Sequence, residues 1–231
     1  MKITFVSTDS DFIRLANRKN YNTFNGNIKD YYPPPDTTNL YFISFSNSLN
    51  FMDKGVPRML SYMFKGVESK INMQIRNLGH KNKFNRYYLP IGQSLLTETD
   101  LYTTKGRQYV ISSPVTLSSS DVSDTPNLFI AMSSVIKMLK NSVNTDKNDE
   151  LILYPVGFGY NNETCLQQFE DALNQNTEKL PLFNKLQQIM QLQPEFYEQA
   201  EWFGVNPLGV AAQGGVNPLG VAAQGLYIKP N

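Results

Sequence analysis

The residues best suited to chemistry stand close together in the stretch NLYFISFSNSLNFMDKGVPRML, from Asn39 to Leu60. Its polar loop carries Ser44, Ser46, Asn47, Ser48, Asn50 and Asp53 and ends at Lys54-Gly55. Asn47 can donate to and accept from a sugar hydroxyl, or orient a water. Asp53 is the carboxylate of the loop and the candidate general base. Lys54 offers a cation, and Gly55 lets a backbone approach a ligand closely. Such a set binds anionic, nucleotide-like ligands when a helix N-terminus stands behind it, because backbone N–H groups and the helix dipole then converge there. A second set, Gly157-Phe158-Gly159-Tyr160, follows the apolar run Leu151 to Tyr154 and suits a second phosphate-facing loop.

Each of these residues also has a plain structural reading. Asparagine commonly satisfies the backbone of its own loop, and aspartate before a helix commonly caps it. Paired glycines can simply let a chain turn from strand to helix. Met59, Met63 and Met73 read as core filling, and Glu163 as a first-turn charge. Both readings stay open at this stage.

The elements that must position these residues follow from hydrophobic periodicity. Strands are expected at Lys2–Val6, Tyr21–Phe24, Leu40–Phe45, Ile91–Leu96, Gln108–Ile111 and Leu151–Tyr154. Helices are expected from Ser10 to Ala16, Val56 to Phe64, Glu68 to Leu78, Thr125 to Leu139 and Glu163 to Leu173. Pro33-Pro34-Pro35 marks a stiff surface connection. Strands alternating with helices predict an α/β domain with a central sheet over residues 1–175. A Gln-rich helical extension is expected over 176–203, with Trp202 as an anchor, followed over 204–231 by an extended tail. That tail repeats GVNPLGVAAQG in tandem, and its glycines and prolines disfavour helix.

Composition excludes several function classes. With 21 basic and 20 acidic side chains the net charge is +1, so the chain as a whole carries no electrostatic footprint of nucleic-acid binding. The single cysteine, Cys165, excludes an internal disulfide and a cysteine metal cluster. The single histidine, His80, reads as an exposed bystander, which sets Ser-His-Asp and Cys-His mechanisms aside. No metal and no cofactor are expected. The N-terminal apolar stretch is too short for a secretory signal, and no window approaches the roughly 18 apolar residues of a membrane span. A cytoplasmic protein without membrane contact is the expectation.

Five fragments, in order, resemble one known family. KITFV is followed by NGNI, where macro domains often have G-D-I. SFSNSLNFMDKGV is similar to their N-S-x-x-F-M-D-G-G loop, and LPIGQSLL resembles their P-x-G-x-A. YVISSPVTLSSSDVSDTPNLFIAM looks like their long substrate-side loop and helix, and LILYPVGFGYNN stands where they carry a second phosphate loop. The chain thus resembles the macro domains, most closely the macro-domain-like proteins of phages, large viruses and some microbes, over about residues 2–175.

The resemblance implies a three-layer α/β/α fold with a central mixed sheet, and ADP-ribose, free or attached to a macromolecule, as ligand. It implies that Asn27 replaces the usual adenine-binding aspartate, beside Ile28, and that Asn47 meets the distal ribose. Lys54, Gly55 and Val56 would face the pyrophosphate, with Gly157, Phe158 and Gly159 as the second phosphate loop. Phe158 or Tyr160 would lie against a ribose. Pro57 stands where catalytically active members often carry an aspartate, so binding without turnover is the first reading. The alternatives are a hydrolase or phosphatase acting on ADP-ribose through Asn47 and Asp53, and a viral scaffold or virion protein that assembles through residues 182–231 with a protein partner. A viral protein would work in host cytoplasm or in the virion.

Overall fold

The computed structural model of the chain describes residues 1–174, apart from 83, 119, 120, 143 and 144. The expected helical extension, the repeat tail and Trp202 lie outside the described residues. In chain order the elements are β1 (Lys2–Ser7), α1 (Ser10–Arg18), β2 (Asn22–Asn25), a 3-10 turn (Ile28–Asp30), β3 (Leu40–Ser44), α2 (Gly55–Met63), α3 (Val67–Leu78), β4 (Leu95–Tyr102), β5 (Arg107–Ser112), α4 (Asn127–Ser142), β6 (Glu150–Leu153) and α5 (Asn162–Leu173). Among the described residues six strands form one mixed sheet in the order β2-β1-β6-β3-β5-β4. All neighbours run parallel except β4, which is antiparallel to β5 at the edge.

Burial explains which strands lie centrally. Every residue of β3 and of β6 is buried, as a strand covered by helices on both faces requires. The edge strand β4 carries Glu98 and Asp100 outward and buries only Thr97 and Thr99. On one face α5 packs against α1 and α4, and on the other α2 lies against β3 and α3 against β4. This is the expected three-layer α/β/α arrangement. The first face is closed by rings: Phe5 meets Phe12 at 5.6 Å and Phe169 at 5.7 Å, and Phe45 meets Phe169 at 5.6 Å. Each fully buried ring contributes about 1.5–3 kcal/mol by removal from water. On the second face Phe42 meets Phe64 at 5.3 Å.

Three expectations are corrected. Ile91 to Ser94 is not strand: Gly92 takes φ +87° and Gln93 N–H donates to Pro90 O, so the chain turns there and β4 begins only at Leu95. Met73 is exposed rather than core, whereas Met59 and Met63 pack against the core. His80 is half-buried beside Tyr88 instead of being a solvated bystander, and desolvation lowers its pKa.

The buried acids lie at the sheet's opposite end from the loops described next. Glu150, at the start of β6, accepts from Thr4 Oγ1 at 2.5 Å and from Tyr31 Oη at 2.6 Å. Its neighbour Asp149 accepts from the backbone N–H and the side-chain amide of Asn39, both at 3.0 Å. Their partners make them clamps between strand starts. No helix of the described residues is long and apolar enough to cross a membrane.

Candidate functional site

Because β3, β5 and β6 are parallel neighbours, the loops that leave them emerge side by side at one edge of the sheet. Open α/β sheets bind ligands at that carboxyl edge. The three loops are tied by backbone bonds: Ser113 N–H to Ser44 O and Val115 N–H to Ser46 O at 3.0 Å, Ser48 N–H to Thr116 O at 2.9 Å, and Val122 N–H to Phe158 O at 2.9 Å. Phe45 N–H also donates to Tyr154 Oη at 2.9 Å.

Asn47 is buried, and its Oδ1 accepts from the N–H groups of Leu49 at 3.0 Å and Phe51 at 3.3 Å. The structural reading of this residue therefore holds for its oxygen, and Nδ2 is the donor left over. Asn50, at φ +55°, anchors the same turn: it accepts from Ser112 Oγ at 2.9 Å and donates to Asn72 Oδ1 at 3.2 Å. Its left-handed backbone is tolerated by asparagine better than by most residues. Composition of the loop gave no reason to single it out over its neighbours.

Asp53 and Lys54 are exposed. The structural alternative for Asp53 fails: α2 begins at Gly55 with Lys54 in the cap position, and no side chain caps it. By contrast α1 is capped by Asp9 and α5 by Asn161. The first turn of α2 thus offers the N–H groups of Gly55 and Val56, and Pro57, buried, has none to satisfy. Gly55 takes φ +57°, and a Cβ there would meet nothing nearer than Pro57 Cδ at 3.9 Å.

The third loop is half open. A Cβ at Gly157 would meet nothing within 4 Å, so that backbone is approachable. Phe158 and Gly159 both have positive φ, +65° and +92°. A Cβ at Gly159, however, would overlap the carboxylate of Asp121. Asp121 is exposed, and its Oδ1 accepts from Ser123 N–H at 2.9 Å; hydrogen bonds from Ser123 hold its pKa below the ordinary value. Its place beside Gly159 is a long-range contact that periodicity cannot show.

Tyr160 points away from solvent. Its Oη meets Thr125 Oγ1 at 3.2 Å and accepts from Leu128 N–H at 3.3 Å, which ties the loop to the start of α4. Burial pushes its pKa up to about 12. Cys165 is buried behind the loop, takes a hydrogen bond from Val156 N–H, and is pushed up to about 12 by burial, which disfavours the reactive thiolate. At the sheet's other side Asn27 caps the 3-10 turn, with Oδ1 accepting from Lys29 N–H at 3.1 Å, and Ile28 is buried. Among the described residues no cluster of three or more His, Cys, Asp or Glu is placed to hold a metal.

Comparison with known proteins adds the following. No family model matches the chain, and no curated protein matches it. Two similar solved structures are macrodomains. One is the macrodomain of Mycobacterium tuberculosis DarG, at 17% identity and TM-score 0.46, covering 65% of this chain and 88% of that one. The other is the Oceanobacillus iheyensis macrodomain with MES bound, at 16% identity and TM-score 0.44, covering 74% of this chain and 89% of that one.

Proposed function

We propose that this chain is a macro-type module that binds ADP-ribose, or a closely related nucleotide, at the carboxyl edge of its sheet and holds it without turnover. The observation that carries the reading is the uncapped start of α2, on the connection that leaves β3, together with an open Gly157 on the loop that leaves the neighbouring β6. Those N–H groups and the Lys54 ammonium suit a pyrophosphate, whose charge the helix N-terminus favours. Val56 and Phe158 flank the two loops, Asn47 Nδ2 donates to the distal ribose, and Asn27 with Ile28 takes the adenine end. Binding without chemistry is favoured by Asn47, whose oxygen is engaged by its own loop and so cannot hold a water as acceptor.

Calorimetric titration of the full chain with ADP-ribose tests this. Saturable heat that is weakened by Gly157→Leu is expected. Absence of binding at about millimolar ligand, where even weak specific complexes register, would overturn it.

A further inference from the structure

Away from the Gly157 loop, a cavity of about 280 Å³ lies between the turn that follows β3, the C-terminal half of α3 and the segment before β4. The donor-bearing residues of its lining are Arg76, Arg86 and Asn72. Asn72 Oδ1 is already engaged by Asn50 Nδ2, so its own Nδ2 is what it has to offer. No carboxylate lines the cavity. Neither arginine has an ion pair among the described residues, whereas Lys70 on the same helix is paired with Asp100.

The sequence explains this excess. Between Glu68 and Glu98 there is no Asp or Glu, while Lys70, Arg76, Lys81, Lys83 and Arg86 all fall there. A net charge of +1 over the whole chain conceals this basic segment. The remaining lining is apolar or aromatic: Leu49, Ile75, Tyr87 and Phe51, the last of which is 49% exposed. The ammonium of Lys81 stands 4.6 Å from the Tyr87 ring centre, adding positive potential at the rim. Asn82, whose Oδ1 holds the N–H of Arg86 at 3.0 Å, has a buried Nδ2 without a partner among the described residues.

Paired guanidinium forks fit phosphate oxygens in a way that ammonium groups do not, and exposed rings take the face of a planar base. We propose that this cavity is a second ligand site, for a 5′-nucleoside monophosphate. The phosphate sits between Arg76 and Arg86, and the base lies against Phe51 and Tyr87. The cavity is smaller than most ligand pockets, which run from about 300 Å³ upward, so a single nucleotide fits better than a dinucleotide. The lining residues are none of those assigned to ADP-ribose, although Leu49 and Phe51 stand next to Asn47, whose Oδ1 accepts their N–H groups.

The test is titration of the full chain with adenosine 5′-monophosphate, adenosine, inorganic phosphate and phenyl phosphate. It is repeated in the Arg76→Ala/Arg86→Ala double variant and with the parent chain saturated by ADP-ribose. Both arginines are exposed, so the double variant should keep its melting temperature. The nucleotide should bind at least about tenfold more tightly than adenosine or inorganic phosphate, lose about tenfold or more in the double variant, and still bind in the presence of ADP-ribose. Unchanged binding in the double variant overturns the proposal, as does displacement of the nucleotide by ADP-ribose, which would put the nucleotide in the loop cleft. Phenyl phosphate binding as tightly as the nucleotide would point to phosphotyrosine and overturn the base contact.

Discussion

The carboxylate of Asp121 lies against Gly159 so closely that a side chain on that glycine would collide with it. The loop after β5 therefore closes one half of the loop after β6, and Val122 N–H to Phe158 O, at 2.9 Å, fastens the closure. An acidic group has been brought to a backbone that, by its glycines and its place after a parallel strand, suits an anion. The two glycines two residues apart then differ sharply in what they tolerate.

Gly157→Leu and Gly159→Ala should separate binding from stability. Gly157 has open space and ordinary φ, so a leucine there should leave the melting temperature unchanged while obstructing ligand approach. At Gly159 the backbone is left-handed, and a non-glycine residue held so far from its preferred region costs about 1–3 kcal/mol. Urea denaturation of both variants checks this; equal stability of the two would contradict the geometry.

Asp121→Ala should strengthen the binding of phosphate-bearing ligands. Removing a like charge from the loop takes away repulsion that salt only partly screens at close range. The gain expected is several-fold at low ionic strength, shrinking as salt approaches about 1 M, where the Debye length falls to about 3 Å. Calorimetry with ADP-ribose at two salt concentrations reads it. An affinity that drops on removing Asp121 would instead make the carboxylate a ligand contact.

Asn47 should show a split between its two side-chain ends. Asn47→Ala deprives the Leu49 and Phe51 N–H groups of their acceptor, and in this part-buried turn the loss costs about 1 kcal/mol, the low end of what an unpaired donor costs. Asn47→Asp keeps the acceptor for those N–H groups but exchanges the Nδ2 donor for a second carboxylate oxygen and a negative charge. The aspartate variant should therefore fold nearly as well as the parent yet bind ADP-ribose more weakly. Paired measurements of melting temperature and ligand affinity test this, and full affinity in the aspartate variant would remove Nδ2 from the site.

The architecture was legible because its signals are local. The apolar run Leu40–Phe45, the polar loop and the helix behind Pro57 lie together in sequence, and β3 and α2 formed within a residue or two of where periodicity places them. The edge strand β4 was missed because LLTETDLY carries its charges on a solvent face, while the neighbouring Ile91–Leu96 run looked more strand-like until Pro90 and Gly92 turned it. At the site, glycines and asparagines were visible as types, but not which of their atoms were already engaged. Whether Asn47 Oδ1 is free, or whether Gly159 faces solvent or Asp121, depends on tertiary contacts. The basic cavity was hidden for a simpler reason: whole-chain charge averages away a segment without acids.

Alkaline pH should loosen the fold through the groups behind the candidate site. Cys165 ionises near 9 when unprotected, but burial in the folded chain pushes it up to about 12. Tyr160 is likewise raised from 10.0 to about 12 by burial. Both groups lose their proton in the unfolded chain first. Between those values the unfolded state binds fewer protons than the native one, and the linkage slope is negative: stability falls as pH rises. The contribution is fully present below about 9 and disappears as pH climbs through about 12. The melting temperature should therefore begin to fall above about pH 9, and Cys165→Ala should delay that onset toward about pH 10 even though the cavity it leaves lowers the plateau. Tyr160→Phe should remove a later part of the slope and, by depriving Leu128 N–H of its partner, loosen the start of α4. Scans of melting temperature against pH for the parent and both variants decide it. A parent curve flat up to about pH 11, or an onset unmoved by Cys165→Ala, would mean that these groups are not buried as described.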